Sequence, residues 1–138
     1  RANDAREWEI SVVMRFSDWS ANLVQAVQQG NPPLDTVIQA IRINDIVLAS
    51  ISIEAFFETG LAIKAKSPFA HTQVLGYTNG CESYLPRAED YPAGGWQVSE
   101  RYAVPDLVFQ CYSLPVALRP ETEQKVVERM SDLIQQLA

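Results

Sequence analysis

Histidine is nearly absent from this chain of 138 residues: His71 is the single one. A self-contained Ser-His-Asp hydrolase would have to use it, and a histidine-rich zinc centre cannot be assembled from these residues alone. Cysteine is scarce as well. Cys81 and Cys111 lie far apart without CxxC spacing, so neither a disulfide framework nor a zinc knuckle is indicated, and whether the two pair is left open. Positive charge is in deficit, with 11 Lys and Arg against 17 Asp and Glu and a net charge of −6. The electrostatic footprint for phosphate backbones is therefore missing, and nucleic acid is not an expected partner. No uncharged run approaches the roughly 20 apolar residues that span a bilayer, and no signal-peptide pattern opens the chain, so the expectation is a soluble protein that does not cross a membrane. Internal repeats and low-complexity segments are lacking too.

What is present is a globular composition. Hydrophobic residues make up 47% and charged residues 20% of the chain, enough for one core and one folded unit over residues 1–138. Trp8, Val12, Phe16, Trp19, Leu23 and Val27 recur every three or four positions, which predicts an amphipathic helix over about 5–28, stopped by Gly30 and the prolines after it. Residues 36–53 are rich in Ile and Val and are divided by Asn44-Asp45. This pattern predicts a hairpin, with the apolar run Ile46-Val47-Leu48-Ala49 in a central strand covered on both faces.

Glu54 to Lys66 reads as a helix, with Phe57 and Leu61 an i,i+4 pair and Lys64 and Lys66 at its C-terminal end; Ser67-Pro68 ends it. Thr72–Tyr77 is a candidate strand, followed by an Asn79-Gly80 turn and a short extended piece at Glu82–Leu85. Residues 86–118, with four prolines and Gly94-Gly95, read mainly as loop around the apolar patch Leu107-Val108-Phe109. The closing helix has Pro120 at its start and Val126, Met130, Leu133 and Leu137 as its apolar face. The fold expected is α/β, with α+β as the alternative: a small mixed sheet flanked by an N-terminal, a central and a C-terminal helix.

Glu54 stands at a strand-to-helix junction after the most apolar strand, where open α/β sheets gather functional groups. It reads either as a metal ligand or general base, or as an acidic residue answering the helix dipole. His71, in a predicted loop, reads as a solvated or capping residue before it reads as a catalyst. Cys81 has no neighbouring base in sequence to activate it, so it reads as a free structural thiol. Tyr84, Tyr91 and Trp96 run through a Gly/Pro loop and either line an apolar pocket or pack the loop onto the sheet.

Several segments taken in order resemble the C-terminal part of the catalytic domain of neutral/alkaline, non-lysosomal ceramidases, in particular their bacterial ceramidase-like relatives. They are Ala40-Ile41-Arg42-Ile43-Asn44-Asp45, Ile53-Glu54 through Phe57, Gly60-Leu61-Ala62-Ile63-Lys64, Ser67-Pro68-Phe69, Gly76-Tyr77-Thr78-Asn79-Gly80, Tyr84-Leu85-Pro86 and Gly94-Gly95-Trp96, over about residues 36–98. The resemblance implies a zinc-dependent amidohydrolase that cleaves an N-acyl sphingoid amide. In that family zinc is held by two histidines from earlier in the domain, a glutamate before a helix, and a tyrosine. The glutamate falls on Glu54 and the tyrosine on Tyr84. A family tyrosine that stabilises the oxyanion falls on Trp96, whose indole keeps one N–H donor.

The resemblance implies that the chain is the C-terminal portion of a larger catalytic domain. It would be inactive alone and would not hold zinc tightly. Its partners would be the N-terminal part of the same protein and a lipid-like or amide substrate, with self-association through the face left uncovered. The compartment, bacterial cytoplasm or secreted, is left open. The alternative is a non-catalytic α/β interaction module in which Glu54 caps a helix and an aromatic loop over 84–112 docks on a partner.

Overall fold

Asn44 and Asp45 turn the chain back on itself. The computed structural model describes residues 2–30, 33–93, 112, 114 and 118–138. Among them β1 (Ile38–Ile43) and β2 (Ile46–Ile51) form the expected hairpin, in a register that runs from Ile38↔Ile51 to Ile43↔Ile46. Asn44 takes φ 56°, in the left-handed region that Asn enters more readily than most side chains.

β2 is central, as its apolar run predicts. It pairs antiparallel with β1 and parallel with β4 (His71–Leu75), giving a mixed three-stranded sheet of order β1-β2-β4. The crossover between the two parallel strands is α2 (Phe57–Lys66). A second, two-stranded parallel ladder continues beyond the first sheet: β3 (Glu54–Ala55) follows β2 and pairs with β5 (Tyr84–Leu85). The fold is α/β.

The expected start of α2 is corrected. Glu54 and Ala55 are strand rather than helix, because the Glu54 N–H bonds to the Ser83 carbonyl at 2.9 Å and the ladder to β5 outcompetes local helix propensity. Phe56 stays extended as the N-cap residue, and the first helical residue is Phe57. Thr59 and Ile63 are the buried side chains of α2, whereas Phe57 and Leu61 lie on its exposed face.

The core joins Val47, Ala49, Ile51 and Ile53 to Ile63 of α2, Leu85 of β5, and Val126, Val127, Met130 and Ile134 of α3 (Thr122–Gln135). The apolar face of α3 is thus turned relative to the one expected. Val127 and Ile134 are buried, while Leu133 and Leu137 are only half-buried. Pro120 lies in the turn before this helix, not at its first position.

α1 (Ala2–Gln29) extends the predicted helix by a few residues, but its stripe is not covered as expected. Trp19 and Ala26 are buried, Leu23 is half-buried, and Phe16 and Val27 are exposed, Val27 by 77%. Among the described residues no helix is long and apolar enough to cross a membrane.

Candidate functional site

The carboxyl ends of the parallel strands β2 and β4 are where the chain gathers its unusual chemistry. Glu54 emerges just after β2, and Tyr77 just after β4. Open α/β sheets place ligand sites at this end of their strands. The β3–β5 ladder pairs Glu54 directly with Tyr84, and side chains at paired positions of a ladder share a face. The Tyr84 ring is held by an edge-on contact with Phe56, centroids 5.4 Å apart.

Three phenols converge on the Glu54 carboxylate. Tyr112 donates to Glu54 Oε2 at 2.6 Å, and the hydroxyls of Tyr77 and Tyr84 also hydrogen-bond the same group. Burial works to raise the Glu54 pKa, but the hydrogen bonds from Tyr112, Tyr77 and Tyr84 outweigh it and hold the carboxyl below its ordinary range. The phenols shift the other way. Burial, then the Glu54 hydrogen bond and charge, raise Tyr84. Tyr112 is raised by burial, by its bonds to Glu54 and Cys81, and by their charges. Tyr77, chiefly through its bond to Glu54, is pushed up to about 12. The resulting site is an ionised carboxylate surrounded by neutral phenols.

Tyr77 reaches Glu54 from a backbone φ of 55°. For a bulky side chain this is a genuine outlier, of a kind that costs about 1–3 kcal/mol and clusters at functional sites. Two backbone bonds hold the bend, Tyr77 N–H to the Ile53 carbonyl at 3.4 Å and Thr78 N–H to the Ile51 carbonyl at 3.2 Å. The turn that follows has Asn79 at φ 64°. At Gly80 a Cβ would run into the Glu82 carboxylate.

The remaining candidates separate. His71 opens β4 rather than lying in a loop, and it pairs with Ile46 at the start of β2. The length of β2, about 17–20 Å for a six-residue strand, therefore stands between it and Glu54. Its Nε2 lies 3.9 Å from Asp45 Oδ2 and both side chains are well exposed, so His71 is no part of the Glu54 cluster. Cys81 carries a free thiol that donates to Tyr112 Oη at 3.8 Å. Tyr91 donates to the Leu118 carbonyl at 2.6 Å, fastening its loop to the segment before α3. Trp96, Cys111 and the patch 107–109 lie outside the described residues.

Neither Tyr77 nor Tyr112 is marked as a site residue by the sequence alone. Tyr77 carried a local signal in its place before Asn79-Gly80. Tyr112 carried none, being 58 positions from the carboxylate it touches.

The donor set suits a hard or borderline cation through oxygen. A carboxylate oxygen is among the ligands that zinc accepts. Glu54 and Tyr84 bring a carboxylate and a phenol oxygen side by side, and among the described residues no group of three His, Cys, Asp or Glu could hold a metal ion. No family model, curated protein or solved structure matches the chain.

Proposed function

We propose that this chain is the C-terminal portion of a ceramidase-like, zinc-dependent amidohydrolase, contributing Glu54 and Tyr84 to a metal site whose nitrogen ligands come from elsewhere in the complete protein. The observation that carries the proposal is the pairing of Glu54 with Tyr84 across the β3–β5 ladder, with the phenol bonded to the carboxylate. The two residues marked by the ceramidase resemblance, distant in sequence, meet at the strand ends.

Zinc held there would polarise an amide carbonyl and make a bound water more acidic. The chain's own residues prepare the site for that chemistry. Glu54 stays ionised at neutral pH and so is ready to ligate. Tyr84 remains a neutral phenol, its ring fixed against Phe56. Tyr77 and Tyr112 satisfy carboxylate lone pairs that would otherwise be half-buried without partners. The substrate class is an N-acyl sphingoid amide, carried over from the same resemblance.

The test is hydrolysis by the complete protein, read as release of fatty acid from an N-acyl sphingoid amide. Glu54→Gln is expected to lower the rate by about a hundredfold or more, the upper range for disturbing a metal's ligand environment. An unchanged rate would remove Glu54 from the chemistry.

A second reading, a non-catalytic interaction module, draws on a different observation: the exposed apolar side chains Ile10, Val13, Met14, Phe16, Val24 and Val27 along α1. It predicts that Glu54→Gln leaves every measured activity in place while substitutions on α1 abolish association.

A further inference from the structure

The Tyr112 phenol has one proton, and the Glu54 carboxylate can only accept. With Oη to Oε2 at 2.6 Å, that proton belongs to the bond with Glu54. Tyr112 Oη is then left with lone pairs, one of which receives the Cys81 thiol proton at 3.8 Å. The relay therefore has a fixed direction, from Cys81 through Tyr112 to Glu54. At 2.6 Å the second bond falls in the short, charge-assisted range. It acts on a torsion that is otherwise soft, because the terminal rotation of a Glu carboxylate is broad and roughly two-fold.

We infer that Tyr112 is a positioning residue for Glu54: its hydroxyl fixes the carboxylate plane through Oε2, with Cys81 orienting the hydroxyl in turn. Glu54 is thereby presented to Tyr84 in one orientation instead of several. The role deepens the zinc proposal and rests on it, since the carboxylate so oriented is the one assigned as a ligand. It also explains the span of chain involved, with residue 112 returning to bond a group near the end of β2. Groups placed behind a ligating side chain in this way set its geometry, and removing one commonly weakens metal binding by 10–100-fold.

Two readouts on the full chain test the inference. In the first, tyrosine-labelled protein is compared by NMR as wild type, Tyr112→Phe, Cys81→Ala and Cys81→Ser. Tyr112→Phe is expected to shift or broaden the Tyr84 ring signals while the core methyl signals of Ile63 and Ile134 stay in place. Cys81→Ala should give a smaller shift in the same direction, which Cys81→Ser reverses by restoring a donor. Tyr84 signals that stay at their wild-type positions in Tyr112→Phe would overturn the inference. Should that variant not fold, the Cys81→Ala and Cys81→Ser pair decides, and identical Tyr84 signals in both would overturn it.

In the second readout cobalt(II) serves as the metal probe, titrated by absorption. Tyr112→Phe is expected to lower the affinity by about tenfold or more. An unchanged affinity, with Glu54→Gln and Tyr84→Phe both weakened, would remove the positioning role and leave the zinc proposal standing. Glu54→Gln and Tyr84→Phe both binding cobalt as wild type does would remove the zinc proposal, while the NMR comparison still decides the role of Tyr112.

Discussion

Glu54 and Tyr84 face each other across a parallel ladder only two residues long, and the contact between their side chains is imposed by the backbone. The Glu54 N–H is tied to the Ser83 carbonyl at 2.9 Å, so the strand cannot slip without turning Glu54 to the other face. Two substitutions separate the ring from its hydroxyl. Tyr84→Phe keeps the contact with Phe56 and should change stability by about 1 kcal/mol or less. Tyr84→Ala also gives up the edge-on aromatic pair and should lose about 1 kcal/mol more, with further loss from the half-buried ring. Urea unfolding of the two variants reads the difference; equal midpoints would mean that Phe56 does not support the ring.

The apolar face of α3 is decided by Met130 and Leu133. Met130 is fully buried among the sheet and α2 residues, whereas Leu133 is half-buried. Met130→Ala should cost about 2–5 kcal/mol, the range for emptying a packed site. Leu133→Ala should cost clearly less. The reverse order in denaturant melts would restore the face expected from the sequence alone.

Thr59 is a buried side chain of α2 whose hydroxyl has no hydrogen-bond partner among the described residues. An unmet buried hydroxyl carries a penalty of about 1–3 kcal/mol, and valine fills nearly the same shape. Thr59→Val should therefore stabilise the protein by roughly 1 kcal/mol, seen as a higher urea midpoint with an unchanged slope. A lower midpoint would mean that the hydroxyl is satisfied in solution.

Arg87 grips Asp90 through two hydrogen bonds, Nε to Oδ2 at 2.9 Å and Nη2 to Oδ1 at 2.7 Å. These bonds hold the Asp90 carboxyl below its ordinary value of 3.8, with burial working against them. The folded protein favours the charged form, so near pH 3.8 it binds fewer protons than the unfolded chain. The stabilisation is present above 3.8 and is lost as pH falls through the depressed folded value. Asp90→Asn should lower the melting temperature at neutral pH, and the gap to wild type should close on acidification through that window. A gap that stays constant with pH would exclude the ion pair as its source.

Much of the sheet was legible in the sequence because its signals are local. Asn44-Asp45 between two Ile/Val runs marks the hairpin, and the unbroken apolar run from Ile46 marks the central strand. Glu54 was legible as a residue of interest by its position at the strand end, but its own conformation was not. Pairing with Tyr84, 30 positions on in the ladder register, converts an apparent helix start into a strand. The tyrosine cluster is the same lesson at longer range. Tyr112 meets Glu54 only because the fold returns residue 112 to the strand ends, and no periodicity or spacing encodes that return. For α1 periodicity revealed a stripe, yet a stripe does not say what covers it, and Phe16 and Val27 remain exposed.

Calorimetric zinc titration of the 138-residue chain tests most directly whether Glu54 and Tyr84 are metal ligands. Two oxygens make half of a tetrahedral site, so binding weaker than about 1 μM is predicted, removed by Glu54→Gln and reduced by Tyr84→Phe. Binding tighter than that would contradict a site whose remaining ligands lie elsewhere in the complete protein, and binding that both variants leave unchanged would contradict the assignment of Glu54 and Tyr84.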